Sequence, residues 1–193
     1  MTQTPSQFPG RSSPDSSPAK PRPAAFLDRD GVLNEDIGFA HRPDQIRWIP
    51  GAIDAVKRLN QLGFLVFIVT NQAGIARGLY TEDHVRALHA WMSSELERHG
   101  ARIDDFRFSP HHPDFGGGLY QHLADWRKPE PGMLIDLMRN WPVLAEPSFM
   151  IGDRDTDVQA AQAAGIRGFL FSGRNLLEKI NEILDSIGTE RPV

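Results

Sequence analysis

The sequence of 193 residues contains no cysteine. Disulfide bonds and cysteine-ligated zinc sites are therefore excluded, since both need a cysteine sulfur atom. No apolar run approaches the roughly 20 residues that a helix needs to cross a bilayer, and residues 1–23 lack the apolar centre of a secretory signal. Basic residues are not in excess either, because 21 Lys and Arg stand against 25 Asp and Glu. We therefore predict a cytoplasmic protein with no nucleic-acid partner and no membrane partner.

The overall composition is typical of one soluble domain, with 40% hydrophobic and 24% charged residues. Residues 1–23 differ from the rest, because they contain six prolines, five serines and hardly any large apolar side chain. Such a segment cannot bury enough surface to offset the entropy of ordering. We predict a disordered tail at residues 1–23, whose deletion changes neither melting temperature nor activity, followed by one folded domain at residues 24–193.

Short apolar runs alternate with helical patterns along residues 24–193. The runs at residues 24–27 and 64–69 are apolar on both faces, as buried parallel strands are. Between them, residues 53–62 carry apolar side chains three positions apart, which is typical of a helix with one buried face. The alternation predicts an α/β fold: an open, Rossmann-like parallel sheet with helices on both faces and no large cap domain.

Polar side chains follow three predicted strands, at residues 24–27, 64–69 and 148–152. They are Asp28 and Asp30, then Thr70 and Asn71, then Asp153 and Asp157. The carboxyl ends of parallel strands meet at one edge of a sheet, so these groups should converge in one crevice. Carboxylates bind a hard cation such as Mg²⁺, while a hydroxyl and a lysine such as Lys128 bind phosphate oxygens. Taken singly, each feature also suits an ordinary turn, a calcium loop, a helix N-terminus or a surface charge, but together they favour phosphoryl transfer.

Four motifs resemble, in order, those of the haloacid dehalogenase superfamily of phosphatases. They are Leu27-Asp28-Arg29-Asp30-Gly31, Val69-Thr70-Asn71, Arg127-Lys128-Pro129 and Gly152-Asp153-Arg154-Asp155-Thr156-Asp157. Residues 74–78 (Gly-Ile-Ala-Arg-Gly), 110–113 (Pro-His-His-Pro) and 131–133 (Pro-Gly-Met) are similar to the branch that contains the heptose bisphosphate and histidinol-phosphate phosphatases, and they favour the heptose side. We therefore expect a monomeric, Mg²⁺-dependent phosphatase whose partner is a small sugar phosphate.

The resemblance also implies a role for each motif residue. Asp28 would attack phosphorus to form an aspartyl-phosphate, and Asp30 would protonate the leaving oxygen and later deprotonate a water molecule. Thr70 and Lys128 would hold the transferring phosphoryl group. Mg²⁺ would be bound by Asp28, the Asp30 carbonyl and Asp153. The expected substrate-binding residues are Asn71, Gln72, Arg127, Asp36, Phe39 and Arg154.

One departure from that branch concerns a zinc-binding loop. The branch carries Cys-x-His and then Cys-x-Cys just before Arg-Lys-Pro. The cysteine positions hold Ser109, Ala124 and Trp126 here, and only His111 remains. We therefore expect no structural zinc, and in its place we predict apolar packing of Trp126 with Phe115, Leu119, Tyr120 and Leu123. The competing hypothesis is a rebuilt metal site from His111, His112, His122 and Asp114.

Two other functions stay open on the sequence alone. The catalytic motifs do not select the leaving group, so a histidinol-phosphate phosphatase or another small-molecule phosphatase is the first alternative. A non-catalytic binding protein on the same fold is the second, although both Asp28 and Asp30 are present. Mg²⁺-dependent phosphate release across a panel of sugar phosphates distinguishes these functions.

Overall fold

Strands and helices alternate along residues 20–188, which are the residues that the structure, a computed structural model, describes. The strands are β1 (Arg22–Leu27), β2 (Leu65–Asn71), β3 (Asp105–Ser109), β4 (Val143–Gly152) and β5 (Arg167–Leu170). The helices are α1 (Ala52–Gln61), α2 (Glu82–Arg98), α3 (Gly132–Asn140), α4 (Asp155–Ala163) and α5 (Leu176–Ser186). Short 3-10 turns lie at Pro43–Gln45, Gly116–Gly118 and Gln121–Trp126. None of the helices in this range has the length and apolar character that crossing a membrane requires.

The five strands form one parallel sheet in the order β3-β2-β1-β4-β5. The strand β1 lies at its centre, which explains why its inner residues are apolar on both faces. Ala25 and Leu27 point into an apolar cluster with α1, α2 and α5, whereas Ala24 and Phe26 point into a second cluster with α3 and α4. Helices thus cover both faces of the sheet, and the predicted fold class is confirmed.

No separate cap domain occurs within residues 20–188. The two longest connections there, residues 28–51 and residues 110–131, contain only the short 3-10 turns. Both connections run along the edge of the sheet that carries the carboxyl ends of β1 and β3. Loops, rather than a second domain, therefore form the rim of the crevice at this edge.

The first strand begins two residues before the predicted domain boundary. The Arg22 backbone N–H donates to the Pro142 carbonyl at 2.8 Å, and its guanidinium donates to the carbonyls of Gly63 and Phe64 at 2.7 and 3.2 Å. Arg22 and Pro23 pair with the start of β4. These two residues belong to the sheet and not to the tail, while residues 1–19 of the predicted tail lie outside the described residues.

We expect two truncations to differ sharply in stability. A chain that starts at Arg22 keeps all three hydrogen bonds of that residue, whereas a chain that starts at Ala24 loses them. Three hydrogen bonds of about 0.5–1.5 kcal/mol each correspond to a melting temperature lower by several degrees. Differential scanning calorimetry of the two proteins measures this difference. Equal melting temperatures would show that the start of β1 contributes nothing.

The long connection before α3 is packed at one end only. Trp126 is buried, with 8% of its surface exposed, and packs beside Met133 and Leu134 in the second apolar cluster. Leu123 contacts the same cluster, but Tyr120 packs in a third one with Val85. The prediction for Phe115 and Leu119 is wrong, because 41% and 68% of their surfaces are exposed. The tryptophan therefore anchors the loop to α3 and the sheet rather than forming a core inside the loop.

Candidate active site

The polar groups that follow the strands converge at the carboxyl edge of the sheet, as predicted. All of them except Asp153 line a cavity of about 330 Å³. The predicted site residues on its wall are Asp28, Asp30, Asp36, Phe39, Thr70, Asn71, Arg127, Lys128 and Arg154. Gly31 makes the turn after β1 with φ at +83°, and a Cβ atom there would lie 2.3 Å from an Asp153 carboxylate oxygen. The glycine thus allows the turn to pack directly against Asp153.

Asp28 lies at the floor of the cavity, and 8% of its surface is exposed. Its Oδ1 accepts the Arg29 backbone N–H at 2.7 Å, and its Oδ2 lies 3.0 Å from the Lys128 ammonium. Burial raises the pKa of Asp28 to about 7, although the nearby Lys128 charge lowers it and the other carboxylates raise it further. Additional positive charge beside this carboxylate would favour its ionised, nucleophilic form.

Lys128 is a buried cation held between two carboxylates. Its Nζ lies 3.0 Å from Asp28 Oδ2 and 2.6 Å from Asp157 Oδ1, and it donates to the Val69 carbonyl at 2.8 Å. Burial alone lowers the pKa of Lys128, but the two carboxylates outweigh it and the pKa is raised above its ordinary value. The amine therefore carries its charge at neutral pH, next to Asp28.

Asn71 is hydrogen-bonded to the backbone of Lys128. Its Oδ1 accepts the Lys128 N–H at 3.1 Å, and its Nδ2 donates to the Lys128 carbonyl at 3.0 Å. The pair of hydrogen bonds joins the end of β2 to the segment before α3. Asn71 therefore positions Lys128 as well as lining the cavity.

Three carboxylates could hold a metal ion in this part of the molecule. Ligand oxygens of Asp28, Asp153 and Asp157 all lie within 4.8 Å of one another. Asp153 Oδ1 is buried without a hydrogen-bond donor among the described residues, and burial raises the pKa of this carboxyl group against the lowering effect of Arg154. A carboxylate oxygen that accepts no hydrogen bond, in a cluster of carboxylates, is suited to bind Mg²⁺, which prefers oxygen ligands. Asp157 contacts Lys128 through Oδ1 and accepts the Arg154 N–H through Oδ2 at 3.0 Å. With 1% of its surface exposed it is buried more deeply than Asp28 and Asp153, which are therefore the more accessible ligands.

The histidines of the long loop do not form such a cluster. Among residues 20–188, the group of acidic and histidine side chains close enough to share a metal ion is the aspartate group described above. His112 instead contacts Arg77 at 3.3 Å and lies edge-on to Phe115 at 4.8 Å between ring centroids. The competing hypothesis of a metal site from His111, His112, His122 and Asp114 has no support in this geometry.

Gln72 does not reach the cavity, contrary to what a substrate-binding role requires. Only 2% of its surface is exposed. Its Nε2 donates to Asp30 Oδ2 at 3.1 Å and to Thr70 Oγ1 at 2.8 Å, and its Oε1 accepts the Tyr80 hydroxyl at 2.8 Å. Gln72 therefore orients two predicted catalytic side chains. Tyr80 was not predicted, because nothing in its local sequence indicates that it folds back over Gly74 onto Gln72.

Three arginines carry positive charge around the mouth of the cavity. Arg154 pairs with Asp36 at 2.8 Å, whereas Arg127 donates to the His111 carbonyl at 3.1 Å. Arg77 lies over the Phe115 ring at 3.9 Å from its centroid. Burial lowers the pKa of Arg127, and the charges of Arg154 and Arg77 lower it further. The three guanidinium groups are therefore close enough to repel one another. The sequence singled out Arg77 only as part of the motif at residues 74–78 and not as a site residue.

Comparisons with known proteins agree with this geometry. The family described as HAD-hydrolase-like matches residues 125–182. A D-glycero-beta-D-manno-heptose-1,7-bisphosphate 7-phosphatase from Rhodopseudomonas palustris is 50% identical over 163 residues, which cover 84% of this chain and 91% of that protein. A protein of the same name from Yersinia pestis is 43% identical over 144 residues, covering 75% of this chain and 77% of that protein.

A solved structure is similar along most of the chain. It is the D,D-heptose 1,7-bisphosphate phosphatase from B. bronchiseptica in complex with magnesium and phosphate, which is 35% identical. The TM-score is 0.70, and the match covers 83% of this chain and 86% of that chain. Similarity at this level, over three quarters or more of each relative, establishes common descent and a common fold. The chain therefore belongs to the haloacid dehalogenase superfamily and, within it, to the family of the D-glycero-beta-D-manno-heptose-1,7-bisphosphate 7-phosphatases.

Proposed function

We propose that the protein removes the 7-phosphate of D-glycero-D-manno-heptose 1,7-bisphosphate through an aspartyl-phosphate. The observation that carries the proposal is the pairing of Asp28 with the charged Lys128 amine at 3.0 Å inside a cavity that Asp30 also lines. A carboxylate beside a fixed cation can attack phosphorus while the cation stabilises the phosphoryl oxygens. The curated relatives named above support the choice of substrate.

In the first step, an Asp28 carboxylate oxygen forms a bond to phosphorus as the bond from phosphorus to the sugar oxygen breaks. Asp30 in its protonated form gives its proton to that leaving oxygen, which departs as an alcohol. Lys128 and the Thr70 hydroxyl hold the phosphoryl oxygens. Thr70 is oriented for this by Gln72, whose amide contacts its Oγ1.

In the second step, a water oxygen attacks phosphorus and the bond to Asp28 breaks. Asp30, now ionised, takes a proton from that water molecule, so one group serves both steps and is restored at the end. Asp28 and Asp153, with the Asp30 carbonyl, would hold Mg²⁺. When bound, Mg²⁺ supplies positive charge that offsets the negative charge of the phosphoryl group and the carboxylate.

The charges at the mouth of the cavity support a bisphosphate over histidinol phosphate. Within residues 20–188, neither Arg127 nor Arg77 forms a salt bridge with a carboxylate. Two unneutralised guanidinium groups would attract a second phosphate and pair with its oxygens. Histidinol phosphate has instead an ammonium group at the corresponding end, which these charges would repel.

The test compares three substrates: the heptose 1,7-bisphosphate as both anomers, the heptose 7-phosphate and histidinol phosphate. We expect the bisphosphate to have the highest kcat/KM. Arg127→Gln should lower that value by about 10–100-fold, the worth of a charge-assisted hydrogen bond, and change the value for the monophosphate less than about threefold. Arg86→Gln is the matched control, because Arg86 is an exposed arginine on α2 that pairs with Glu82.

Two results would contradict the proposal. A preference of the wild-type protein for histidinol phosphate would make the first alternative correct. The absence of Mg²⁺-dependent phosphate release from any member of the panel would favour a binding protein. The cytoplasmic location, the monomeric state and the lack of zinc stay predictions, and elemental analysis of protein purified without a His tag tests the last of them.

A further inference from the structure

Arg29 stands between the two catalytic aspartates in the sequence, yet its side chain points into the protein. Its side chain has no exposed surface, and it is among the largest of the fully buried side chains. Burying a guanidinium group is costly unless carboxylates or carbonyls pair with it. Its position therefore needs an explanation in terms of what it contacts.

The guanidinium group of Arg29 forms two hydrogen bonds to the carboxylate of Asp30. Nε lies 3.2 Å from Asp30 Oδ1, and Nη2 lies 2.7 Å from Asp30 Oδ2. Nη2 also donates to the Ala40 carbonyl at 2.8 Å, which ties the arginine to the loop after β1. A planar fork that contacts both oxygens fixes the plane of a carboxylate, whereas a donor to one oxygen leaves rotation free.

Two further donors complete the surroundings of Asp30. Asn34 Nδ2 donates to Oδ1 at 2.9 Å, and Gln72 Nε2 donates to Oδ2 at 3.1 Å. Each of these amides contacts only one oxygen, so among residues 20–188 Arg29 is the residue that bridges both. Protonation of one oxygen displaces one of its donors and leaves the others in place, so the carboxyl group keeps its plane in both protonation states.

We propose that Arg29 is the positioning residue of Asp30, holding it in the plane from which it exchanges protons with the leaving oxygen and with water. The inference rests on the acid–base role given to Asp30 in the proposed function. Misplacement of a reacting group by about 1 Å costs on the order of 100-fold in rate. The guanidinium group of Arg29 does not line the cavity, so its effect on the reaction passes through the groups that it contacts, which are Asp30 and the Ala40 carbonyl.

The decisive measurement is the dependence of kcat/KM on the leaving group. An alkyl phosphate needs a proton on its leaving oxygen, whereas p-nitrophenyl phosphate releases a stable phenolate without one. Arg29→Lys keeps the buried charge but lacks the planar pair of nitrogens that contacts the two oxygens separately. We expect it to lower kcat/KM for the heptose bisphosphate by about 10–100-fold and for p-nitrophenyl phosphate by less than about threefold. Equal losses on the two substrates, or no loss on either, would overturn the proposal.

Arg107→Lys is the matched control. Arg107 is a buried arginine with two carboxylate contacts, at 2.9 Å to Asp105 and 2.6 Å to Asp136, but it lies away from the cavity wall. We expect this variant to lower the melting temperature without any preference between leaving groups. A leaving-group preference as large as that of Arg29→Lys would show that the effect is a general result of weakened folding, and the proposal would fail.

A double-mutant cycle then shows whether Arg29 works through Asp30. In the Asp30→Asn background, Arg29→Lys should cause no further loss on the alkyl phosphate, whereas independent contributions would add. If Arg29→Lys does not fold, the ¹⁵N-coupled Arg29 Hε resonance is compared between the wild-type protein and Asp30→Asn. An upfield shift on loss of the carboxylate supports the pairing, and an unchanged resonance refutes it.

Failure of the proposed function stays distinguishable from failure of this inference. If the wild-type protein hydrolyses another alkyl phosphate of the panel instead of the heptose bisphosphate, the substrate is wrong. The leaving-group comparison is then made with that alkyl phosphate. If Asp30→Asn lowers kcat/KM equally for the two leaving groups, Asp30 does not protonate the leaving oxygen. Arg29 then has no catalytic acid to position.

Discussion

Asp28→Asn is expected to abolish turnover, with kcat lowered by at least about four orders of magnitude, the scale on which loss of a nucleophile acts. The amide keeps the size of the carboxylate but cannot form the aspartyl-phosphate. It also removes one charge from the group of carboxylates fitted to Mg²⁺. Phosphate release from the heptose bisphosphate, followed with enough enzyme to detect one turnover, measures the effect. A kcat within tenfold of the wild-type value would exclude Asp28 as the nucleophile.

The same variant should fold at least as well as the wild-type protein when divalent ions are absent. Burial raises the pKa of Asp28 to about 7, so the folded state takes up a proton at pH values where the unfolded chain has released it. The wild-type protein then loses stability as pH rises towards 7, and Asp28→Asn does not. The melting temperature of the variant relative to wild type should therefore increase between about pH 4 and pH 7. A relative melting temperature that falls over this range would contradict the assignment of a raised pKa.

Lys128→Met is expected to damage both activity and folding. The amine lies between the Asp28 and Asp157 carboxylates at 3.0 and 2.6 Å, so its loss leaves two buried carboxyl groups without their cation. Removing one member of a buried ion pair costs about 3–5 kcal/mol of unfolding free energy. Loss of a fixed charge on the phosphoryl oxygens lowers kcat by about 10²–10³-fold or more. Urea unfolding and steady-state kinetics at neutral pH measure the two effects.

A second variant separates the two effects. Adding Asp157→Asn to Lys128→Met removes one of the unpaired carboxylates, so part of the lost stability should return while activity stays low. The Asp157 amide keeps an oxygen for the Arg154 N–H, which the carboxylate accepts at 3.0 Å. An unfolding free energy of Lys128→Met within about 1 kcal/mol of wild type would show that the buried pair contributes little, the usual result for exposed pairs.

Much of the fold follows from the sequence because the signals are local. The runs at residues 24–27 in β1 and 65–69 in β2 are apolar on both faces, and this pattern is typical of a sheet covered on both sides. Asp28 and Thr70 stand at the ends of these strands, and a parallel sheet brings such ends to one edge whatever the details of packing. The sequence thus determined the sheet, the location of the crevice and most of the residues on its wall.

The first strand shows where local signals stop being sufficient. Arg22 and Pro23 look like part of a polar, proline-rich segment, and only their partners in distant parts of the chain make them a strand. Those partners are Gly63, Phe64 and Pro142, which contact Arg22 through hydrogen bonds. Such contacts between residues more than 40 positions apart leave no pattern in the segment itself.

The direction of each side chain was likewise decided by the tertiary structure. Gln72 and Arg29 carry polar groups that suit a substrate pocket, but both turn inward because Asp30, Thr70 and Tyr80 offer them partners there. Phe115 stays exposed where a core was predicted, because the Arg77 guanidinium group over its ring gives it a surface contact. A sequence specifies which groups are available, whereas the pairing of buried polar groups depends on which elements the fold brings within hydrogen-bonding distance.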